Sequence, residues 1–300
     1  MKTYIVVYNP LSGKGNSKKH AEDIVCELIK REFTDVRIFE STSKEDLNEY
    51  FKCLNSIGDE GAIVISVGGD GTLGTVIHAI LSSNIDASVA VYPAGTANDF
   101  ATFSHMPKNI NKFIDVLLKT TPLKTDVAKV NGYYAINAIG VGNFSNGGTV
   151  YSSHAKKYFG KLGYYFKCVF SAFAMRSCKL SIKINEKTIE DEFLFLYIVN
   201  SQTAGGFKKF APNAEIYDGK FDFVGIKNCN IFTFTKLFFE ILLGKHINNK
   251  HVVYAKGSDF KVDKLAQNDK FNFADLDGNV GPALPLEIEI TASKIKIYKN

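Results

Sequence analysis

Short apolar runs, each followed by residues at helical spacing, fill the N-terminal part of the chain and constrain its fold most strongly. The runs TYIVVY, VRIFE, AIVISV and SVAVYP have the length and composition of buried strands. Between and after them, apolar residues recur at i, i+3, i+4 and i+7, as on one face of a helix; the sets are Ala21/Ile24/Val25/Leu28, Leu47/Tyr50/Phe51/Leu54, Leu73/Val76/Ile77/Ile80 and Ile110/Phe113/Ile114/Leu117. This alternation predicts a parallel sheet covered by helices.

The pattern changes near Pro122. Beyond it the chain holds many short strand-like runs, DVAKV, YYAINAIG, KLSIKI, EFLFLYIV, KFDFVGI, HVVYA and DFKVD, with turn residues in VNGYY and YDGKF. Helical patterns around 160–175 and 231–243 interrupt them. We therefore expect an α/β domain over 1–122, joined by a C-terminal return of about 287–300, and a β-sandwich with Greek-key character over 123–286.

Composition excludes some partners. The chain has 300 residues, is 45% hydrophobic and 22% charged, and carries a net charge of +5. This length is sufficient for two domains with their own cores. The small basic excess suits an anionic ligand or membrane surface, or an ordinary protein surface, but it is too small to indicate nucleic-acid binding.

The cysteine pattern and the apolar segments point to a cytoplasmic protein. Five cysteines lie apart, without a C-x-x-C pair, as expected of reduced thiols. The N-terminal apolar run is too short for a signal peptide. The apolar stretches 164–175 and 231–243 are too short to span a bilayer, and each contains Lys or Glu. We expect buried or interfacial helices there.

The loops that follow the predicted strands are the candidate ligand sites, because ligands of open parallel sheets bind at the carboxyl ends of the strands. The first loop, YNPLSGKG, differs from a Walker A loop, which requires glycine where Tyr8 stands. Ser12 and Gly13 are small enough to offer backbone N–H groups to a phosphate. A plain strand-to-helix turn explains the loop equally well.

The second loop is Gly68-Gly69-Asp70-Gly71-Thr72. Its adjacent glycines do not fit a dinucleotide fingerprint, but they permit close backbone approach. A helix predicted from Leu73 onward would direct its positive end at this loop. Asp70 could simply cap that helix. Alternatively, it could meet a Mg²⁺ ion that accompanies phosphates, or accept a proton from an attacking hydroxyl.

The third loop is PAGTANDFA, residues 93–101. Gly95 and Thr96 also suit the close approach of an anion, and Asn98 and Asp99 add polar groups that a turn alone does not require. An Asn-Asp helix cap is the structural alternative. Further along, Asp126 in TDVAKV is uninformative when considered alone.

GGDGT followed by PAGTANDFA resembles the diacylglycerol kinase-type lipid kinase family in its compact bacterial form. The resemblance continues through INAIGVG at 136–142, VNSQTAGGFKKFAPNAEIYDGKFDF at 199–223 and LDGNVGPALP at 276–285, so it covers nearly the whole chain. GGDG alone is shared with NAD kinases and phosphofructokinases, whereas the combination is far more specific.

The resemblance implies a Rossmann-like three-layer α/β domain for ATP, a C-terminal β-sandwich, and lipid bound in the cleft between them. It implies a set of nucleotide-binding residues: Asn9, Pro10, Ser12, Gly13, Ser41, Gly68, Gly69, Asp70, Gly71, Thr72, Leu73 and Thr96. Gly95, Asn98 and Asp99 of the third loop join the predicted cofactor-binding residues. It also implies a magnesium loop in AEIYDGKF, with the Asp218 carboxylate and the Glu215 and Lys220 carbonyls as ligands. Asp126 joins the predicted metal residues. A tight β-turn at Asp218-Gly219 is compatible with this loop.

The late family motif is normally Asp-Gly-Glu, in which the Glu is the proposed general base. This chain has Asp277-Gly278-Asn279 instead. An amide cannot accept the proton, so the base is left open among the predicted catalytic residues Asp70, Asp277 and Asn279.

The resulting prediction is an ATP- and Mg²⁺-dependent kinase that phosphorylates a lipid hydroxyl. Its lipid would bring it transiently to the inner face of the membrane, and a homodimer is compatible with the sequence. Two alternatives stay open. One is an NAD kinase-like enzyme with a soluble substrate, and the other is a weakly active lipid- or nucleotide-binding regulator. The sequence does not identify the lipid.

Overall fold

The computed structural model describes residues 2–12, 15–56, 61–143 and 175–300. Contacts divide the chain into two units. Unit 1 comprises residues 1–127, 134–136 and 291–300, and unit 2 comprises residues 128–133 and 137–290. The division at Val127 lies further along the chain than the predicted boundary at residue 122, and the C-terminal return begins at Thr291 rather than near 287.

Unit 1 is built on a parallel sheet with strand order β2-β1-β3-β4. The strands are β1 (Tyr4–Tyr8), β2 (Val36–Glu40), β3 (Ala62–Gly68) and β4 (Ala87–Pro93). All residues of β1 and β3 are buried, as expected for strands covered on both faces. The predicted α/β architecture is confirmed.

Helices alternate with these strands: α1 (Ser17–Lys30), α2 (Lys44–Ser56), α3 (Asp70–Ser82), α4 (Asp99–Phe103) and α5 (Ile110–Lys119). Their buried faces follow the predicted spacing, for example Ala21, Ile24 and Leu28 on α1. The expected start of α3 at Leu73 was wrong. The helix begins at Asp70 because Gly69 already adopts the extended conformation of an N-cap residue.

Two strands carry the chain from one unit into the other. These are β5 (Leu123–Val130) and β15 (Leu286–Ile297), which pair with each other. The end of β15 adds to the sheet of unit 1, where Lys296 and Ile297 pair in parallel with Ser88 and Val89 of β4. Ile297 and Tyr298 are buried there. The short strand β6 (Tyr133–Ala135) pairs with β5.

Unit 2 is built from antiparallel strands, as the serial strand-like runs predict. They are β7 (Ala138–Gly142), β8 (Cys178–Ile184), β9 (Lys187–Val199), β10 (Phe221–Lys227), β11 (Val252–Gly257), β12 (Asp259–Lys264), β13 (Phe273–Leu276) and β14 (Asn279–Ala283). Strand β9 is long enough to pair with β8, β7 and β10.

Helix α6 (Ile231–Leu243) lies between β10 and β11 and confirms the helical pattern predicted at 231–243. The other predicted helix, around 160–175, falls almost entirely outside the described residues. Within the described ranges, no helix combines the length and the apolar character needed to span a bilayer.

Candidate active site

Three loops of unit 1 follow adjacent parallel strands, so they lie at one edge of its sheet. Loop A (residues 9–16) follows β1, loop B (residues 68–72) continues β3 into α3, and loop C (residues 94–98) follows β4. The sequence predicts phosphate-binding backbone in all three. The structure brings loop B into direct contact with both loop A and loop C.

Loops B and C touch through their glycines. A Cβ atom added to Gly95 would lie 2.3 Å from Gly69 Cα, and one added to Gly68 would lie 2.4 Å from Thr72 Oγ1. The backbone N–H groups of Ala94 and Gly95 donate to the Gly68 carbonyl, each at 3.1 Å. These glycines are therefore required for packing of the two loops, whatever ligand they also approach.

Asp70 joins loop B to the helix that follows loop C. Its two carboxylate oxygens accept hydrogen bonds from the backbone N–H groups of Asp99 and Phe100, each at 3.0 Å. The carboxylate thus caps α4, a neighbouring helix, rather than its own helix α3. Burial raises the pKa of Asp70 above its ordinary value, although the Phe100 and Asp99 amides act to lower it. A role toward metal or proton stays a prediction.

Asn98 fixes the shape of loop C. Its side chain accepts from the Gly95 N–H at 2.8 Å and donates to the Gly95 carbonyl at 2.8 Å. Its backbone is left-handed, with a φ of 54°. Asn98 and Asp99 are buried, whereas Thr96 is exposed. Of the predicted polar residues of loop C, Thr96 is therefore the one available to a ligand from solvent.

Loop A is tied to loop B through hydroxyl groups. The Ser12 and Thr72 hydroxyls lie 2.9 Å apart, and the Ser17 hydroxyl donates to the Asn9 carbonyl at 2.5 Å. Asn9 also accepts from the Leu11 N–H at 2.8 Å. Pro10 lies in this turn, whereas the predicted ligand Gly13 lies outside the described residues.

Ser41 follows β2, the strand next to β1. It is buried, and its backbone N–H donates to the Tyr8 carbonyl at 2.8 Å. The structure therefore places Ser41 at the same sheet edge as loop A, where the predicted nucleotide residues gather. Its contact with nucleotide stays a prediction.

The late DG element of unit 2 is a hairpin turn. Leu276 of β13 pairs with Asn279 of β14, and Asp277 and Gly278 between them have φ values of 53° and 88°. Positive φ at both central residues is the signature of a type I′ turn, for which Asp-Gly is a preferred pair. Asn279 therefore begins a strand at a hairpin, and it is partly exposed.

Asp277 is buried, and its carboxylate accepts from the backbone N–H groups of Asn137 and Ala138 at 2.9 and 2.8 Å. Asn137 in turn accepts from the Ser201 hydroxyl at 2.6 Å and donates to the Thr203 carbonyl at 3.1 Å. Sequence reasoning did not select Asn137 or Ser201 as site residues. Their signal was present in INAIGVG and VNSQTAGG, where polar residues stand between apolar strands.

Asp126 is fully buried in β5 of unit 1. One of its carboxylate oxygens accepts from the backbone N–H of Ser293 in β15 at 2.7 Å. The carboxylate thus joins the two strands that cross the unit boundary. Its predicted role as a metal ligand stays a prediction.

The predicted magnesium loop carries an internal cation. Lys256 Nζ lies 2.8 Å from Asp218 Oδ2, 3.6 Å from an Asp222 carboxylate oxygen and 3.2 Å from the Asn213 carbonyl. The other Asp218 oxygen accepts from the Lys220 N–H at 3.0 Å, as in a tight turn. Partial burial lowers the pKa of Lys256, but the bond to Asp218 and the charge of Asp222 outweigh it and hold that pKa above its ordinary value.

A divalent ion at Asp218 would have to compete with this ammonium, so the residues as arranged do not fit Mg²⁺ there. Glu215 and Lys220, whose carbonyls were the other predicted ligands, are exposed residues of the same loop. Elsewhere in the described part of the chain, no group of three or more His, Cys, Asp or Glu side chains is placed to hold a metal ion.

The contact between loops B and C predicts different stability costs for alanine at Gly95 and at Gly69. Gly95→Ala is expected to destabilise the protein by about 1–3 kcal/mol, because its Cβ would overlap the Gly69 backbone. Gly69→Ala should cost less, since its Cβ would lie 3.2 Å from Gly95 Cα. Urea denaturation of both variants measures the difference. An equal or reversed order would contradict the described contact.

The cap on α4 generates a second prediction. Asp70→Ala is expected to lower the free energy of unfolding by about 1–3 kcal/mol, because it leaves two backbone N–H groups without their acceptor. The matched control is Asp86→Ala, which removes an exposed ion pair with Lys296 and should cost at most about 1 kcal/mol. Urea denaturation again measures both. Equal stabilities of the two variants would show that the Asp70 hydrogen bonds carry no structural role.

Two family models match the chain. Residues 3–130 match the diacylglycerol kinase catalytic domain, and residues 146–299 match the YegS C-terminal NAD kinase beta sandwich-like domain. The second match spans more than half of the chain. It supports the predicted β-sandwich for the C-terminal part.

Individual relatives agree with the family models. The chain is 29% identical to a protein named diacylglycerol kinase from Bacillus subtilis (strain 168), over 96% of this chain and 93% of that protein. It is 26% identical to a diacylglycerol kinase from Staphylococcus carnosus (strain TM300), over 98% and 94% of the two chains.

A solved structure shows the same fold along the whole chain. The crystal structure of a diacylglycerol kinase from Bacillus anthracis str. Sterne superimposes with a TM-score of 0.77 at 23% identity, covering 100% of this chain and 97% of that one. The two family models and the relatives named diacylglycerol kinase confirm the family predicted from GGDGT and PAGTANDFA. The chain belongs to the diacylglycerol kinase-type family of bacterial lipid kinases.

Proposed function

We propose that this protein transfers the γ-phosphoryl group of ATP to the hydroxyl of a membrane lipid of the diacylglycerol type. The observation that carries the proposal is the joining of loops A, B and C at the carboxyl edge of the unit 1 sheet. There the N-terminus of α3 offers backbone N–H groups, and the positive end of its dipole, to phosphate. The substrate follows from relatives whose names state that they are diacylglycerol kinases.

Phosphoryl transfer depends mainly on positioning the reactants and on stabilising the charge of the transferring phosphoryl group. Phosphoryl transfer passes through a loose transition state, so the attacking hydroxyl needs little help from a base. Glycines at 68, 69 and 95 hold loops B and C together, and the exposed Thr96 hydroxyl extends the same edge. These groups would bind and orient the phosphates before the hydroxyl arrives.

Mg²⁺ belongs to the proposal only as the ion that accompanies ATP. It would neutralise phosphate charge when bound. Carboxylate oxygens are the ligand type it prefers, and the partly exposed Asp70 would supply one, whereas the predicted ligand Asp126 is fully buried. The Asp218 loop is not part of the proposal, because Lys256 already pairs with its carboxylate.

The test is incubation of the purified protein with γ-labelled ATP, Mg²⁺ and a panel of acceptors. The panel comprises diacylglycerol, phosphatidylglycerol, a sphingoid base, an undecaprenol-like alcohol and NAD. We expect label on diacylglycerol, with heat-denatured protein as the control. Label on NAD would favour the soluble-substrate kinase instead, and label on another lipid would replace the acceptor named here.

A second candidate function rests on Asn279. An amide has no useful proton affinity near neutral pH, so the chain lacks the acidic group that the family motif places after Asp-Gly. A lipid- or nucleotide-binding regulator without turnover is the corresponding alternative. Retained ATP binding without label on any acceptor would select it.

Asn279→Glu separates a weakened kinase from a regulator. We expect the glutamate to raise kcat and to leave the apparent affinity for ATP nearly unchanged, because Asn279 begins strand β14 of unit 2 and belongs to none of loops A, B and C. Steady-state kinetics with the labelled lipid measures this. Asn279→Gln is the matched control, since it adds the same length without a carboxylate.

An unchanged kcat beside a vigorous wild type would show that the base lies elsewhere. Asp70 would then be the first candidate, because burial raises the pKa of its carboxyl and a raised pKa makes a carboxylate a better proton acceptor.

A further inference from the structure

Helix α6 of unit 2 exposes large apolar side chains on one face and buries them on the other. Phe232, Phe239 and Leu243 are 84%, 58% and 62% exposed. The buried side chains of the helix are those of Phe234, Leu237, Phe238 and Ile241. A helix apolar all round normally lies within a protein core, so the outer face requires an explanation.

The exposed residues form one line along the helix. Phe232, Lys236, Phe239 and Leu243 are spaced i, i+4, i+7 and i+11, which places them within an arc of about 60° at 3.6 residues per turn. We call these four residues the α6 stripe. Single exposed apolar residues are common on proteins, but a stripe of three with one cation on the same line is a continuous surface.

The surroundings of the stripe are basic. Lys236 itself has a 77% exposed side chain, and it lines one surface depression together with Lys245 and Lys250. Glu240, the acidic residue of that depression, lies 3.8 Å from Lys236 and accepts from Asn249 at 2.7 Å. Its charge is therefore partly offset, and positive charge dominates beside the apolar line.

We propose that the α6 stripe docks on a phospholipid bilayer that carries anionic lipid. Aromatic and leucine side chains would enter the boundary between headgroups and acyl chains, while the lysines meet the phosphates of the headgroups. This inference rests on the proposed function, in which the acceptor is a membrane lipid. It adds the surface by which the enzyme reaches that lipid.

A second copy of the chain fits this surface less well than a bilayer does. A two-fold contact would place the same patch on both sides of the interface, so the lysines of both copies would be gathered in one interface. Desolvating like charges beside apolar contacts is unfavourable. An anionic bilayer complements both components of the patch.

The chain contains no tryptophan, so one substitution creates a specific reporter. Phe239→Trp is expected to shift its emission to shorter wavelength with vesicles containing phosphatidylglycerol. The shift should be smaller with pure phosphatidylcholine and should weaken as salt is added. Tyr133→Trp, an exposed position on β6 far along the chain from α6, is the matched control and should not shift. No shift at position 239 would overturn the proposal.

A triple variant tests the stripe by function. Phe232→Ser, Phe239→Ser and Leu243→Ser together should lower vesicle partitioning at least about tenfold, since burial of each side chain contributes to binding. Ile29→Ser, exposed on α1, is the control. With a short-chain diacylglycerol dissolved as monomer, the triple variant should phosphorylate as the wild type does. Loss with both substrates would indicate misfolding, which circular dichroism checks.

The outcomes separate the two proposals. Vesicle binding through position 239 without lipid phosphorylation would support the docking surface and overturn the proposed function. Phosphorylation of vesicle lipid that is unaffected in the folded triple variant would overturn the docking surface alone. Sedimentation equilibrium tests whether a second copy of the chain covers the stripe instead. If the wild type forms a dimer and binds no vesicles, and the triple variant is a monomer, the stripe is a dimer contact and the membrane inference is overturned.

Discussion

The site of unit 1 depends on one backbone contact, that between Gly69 and Gly95. Two loops that follow different strands approach so closely that a Cβ atom on Gly95 would overlap the Gly69 backbone, whereas one on Gly69 would be tight but less so. The contact therefore depends on the missing Cβ of Gly95 most of all. Once it forms, the Gly68 carbonyl can accept from loop C, and Asp70 can reach the amides at the start of α4. The shape of this sheet edge therefore follows from packing within the protein.

Three aspartates that the sequence analysis selected, Asp70 and Asp277 as catalytic residues and Asp126 as a metal ligand, share one structural role. Asp70 binds the amides of Asp99 and Phe100, Asp277 binds those of Asn137 and Ala138, and Asp126 binds that of Ser293. Each is a carboxylate that satisfies backbone N–H groups which would otherwise be buried without acceptors. Each aspartate can hold the backbone in place and also take part in catalysis or metal binding. A loss of activity after substitution therefore does not show which of the two roles was lost, so the stability of each variant must also be measured.

Much of the fold could be predicted because its signal is periodic. Buried strands such as AIVISV and helices such as 110–117 are recognisable from the spacing of their apolar residues, and turn residues separate the short strands of unit 2. The site was predicted at the level of loops because glycine clusters follow strands. The contacts within the site were not predicted, since a sequence does not state which backbone amide an aspartate will bind 29 or more residues away. The Lys256–Asp218 ion pair was not predicted for the same reason. It joins β11 to a loop that is distant in sequence, and the residues around each partner do not indicate the pairing.

The path of β15 has a consequence for the order in which the molecule can be completed. The sheet of unit 1 takes its neighbour for β4 from Lys296 and Ile297, at the far end of the sequence from the strands it joins. During translation, β1 to β4 leave the ribosome long before the end of β15 has been synthesised. Until then, the edge of β4 presents unpaired backbone groups. Unit 2, whose residues run from 137 to 290 almost without interruption, has no such wait. Unit 1, although synthesised first, is therefore the unit that is completed last.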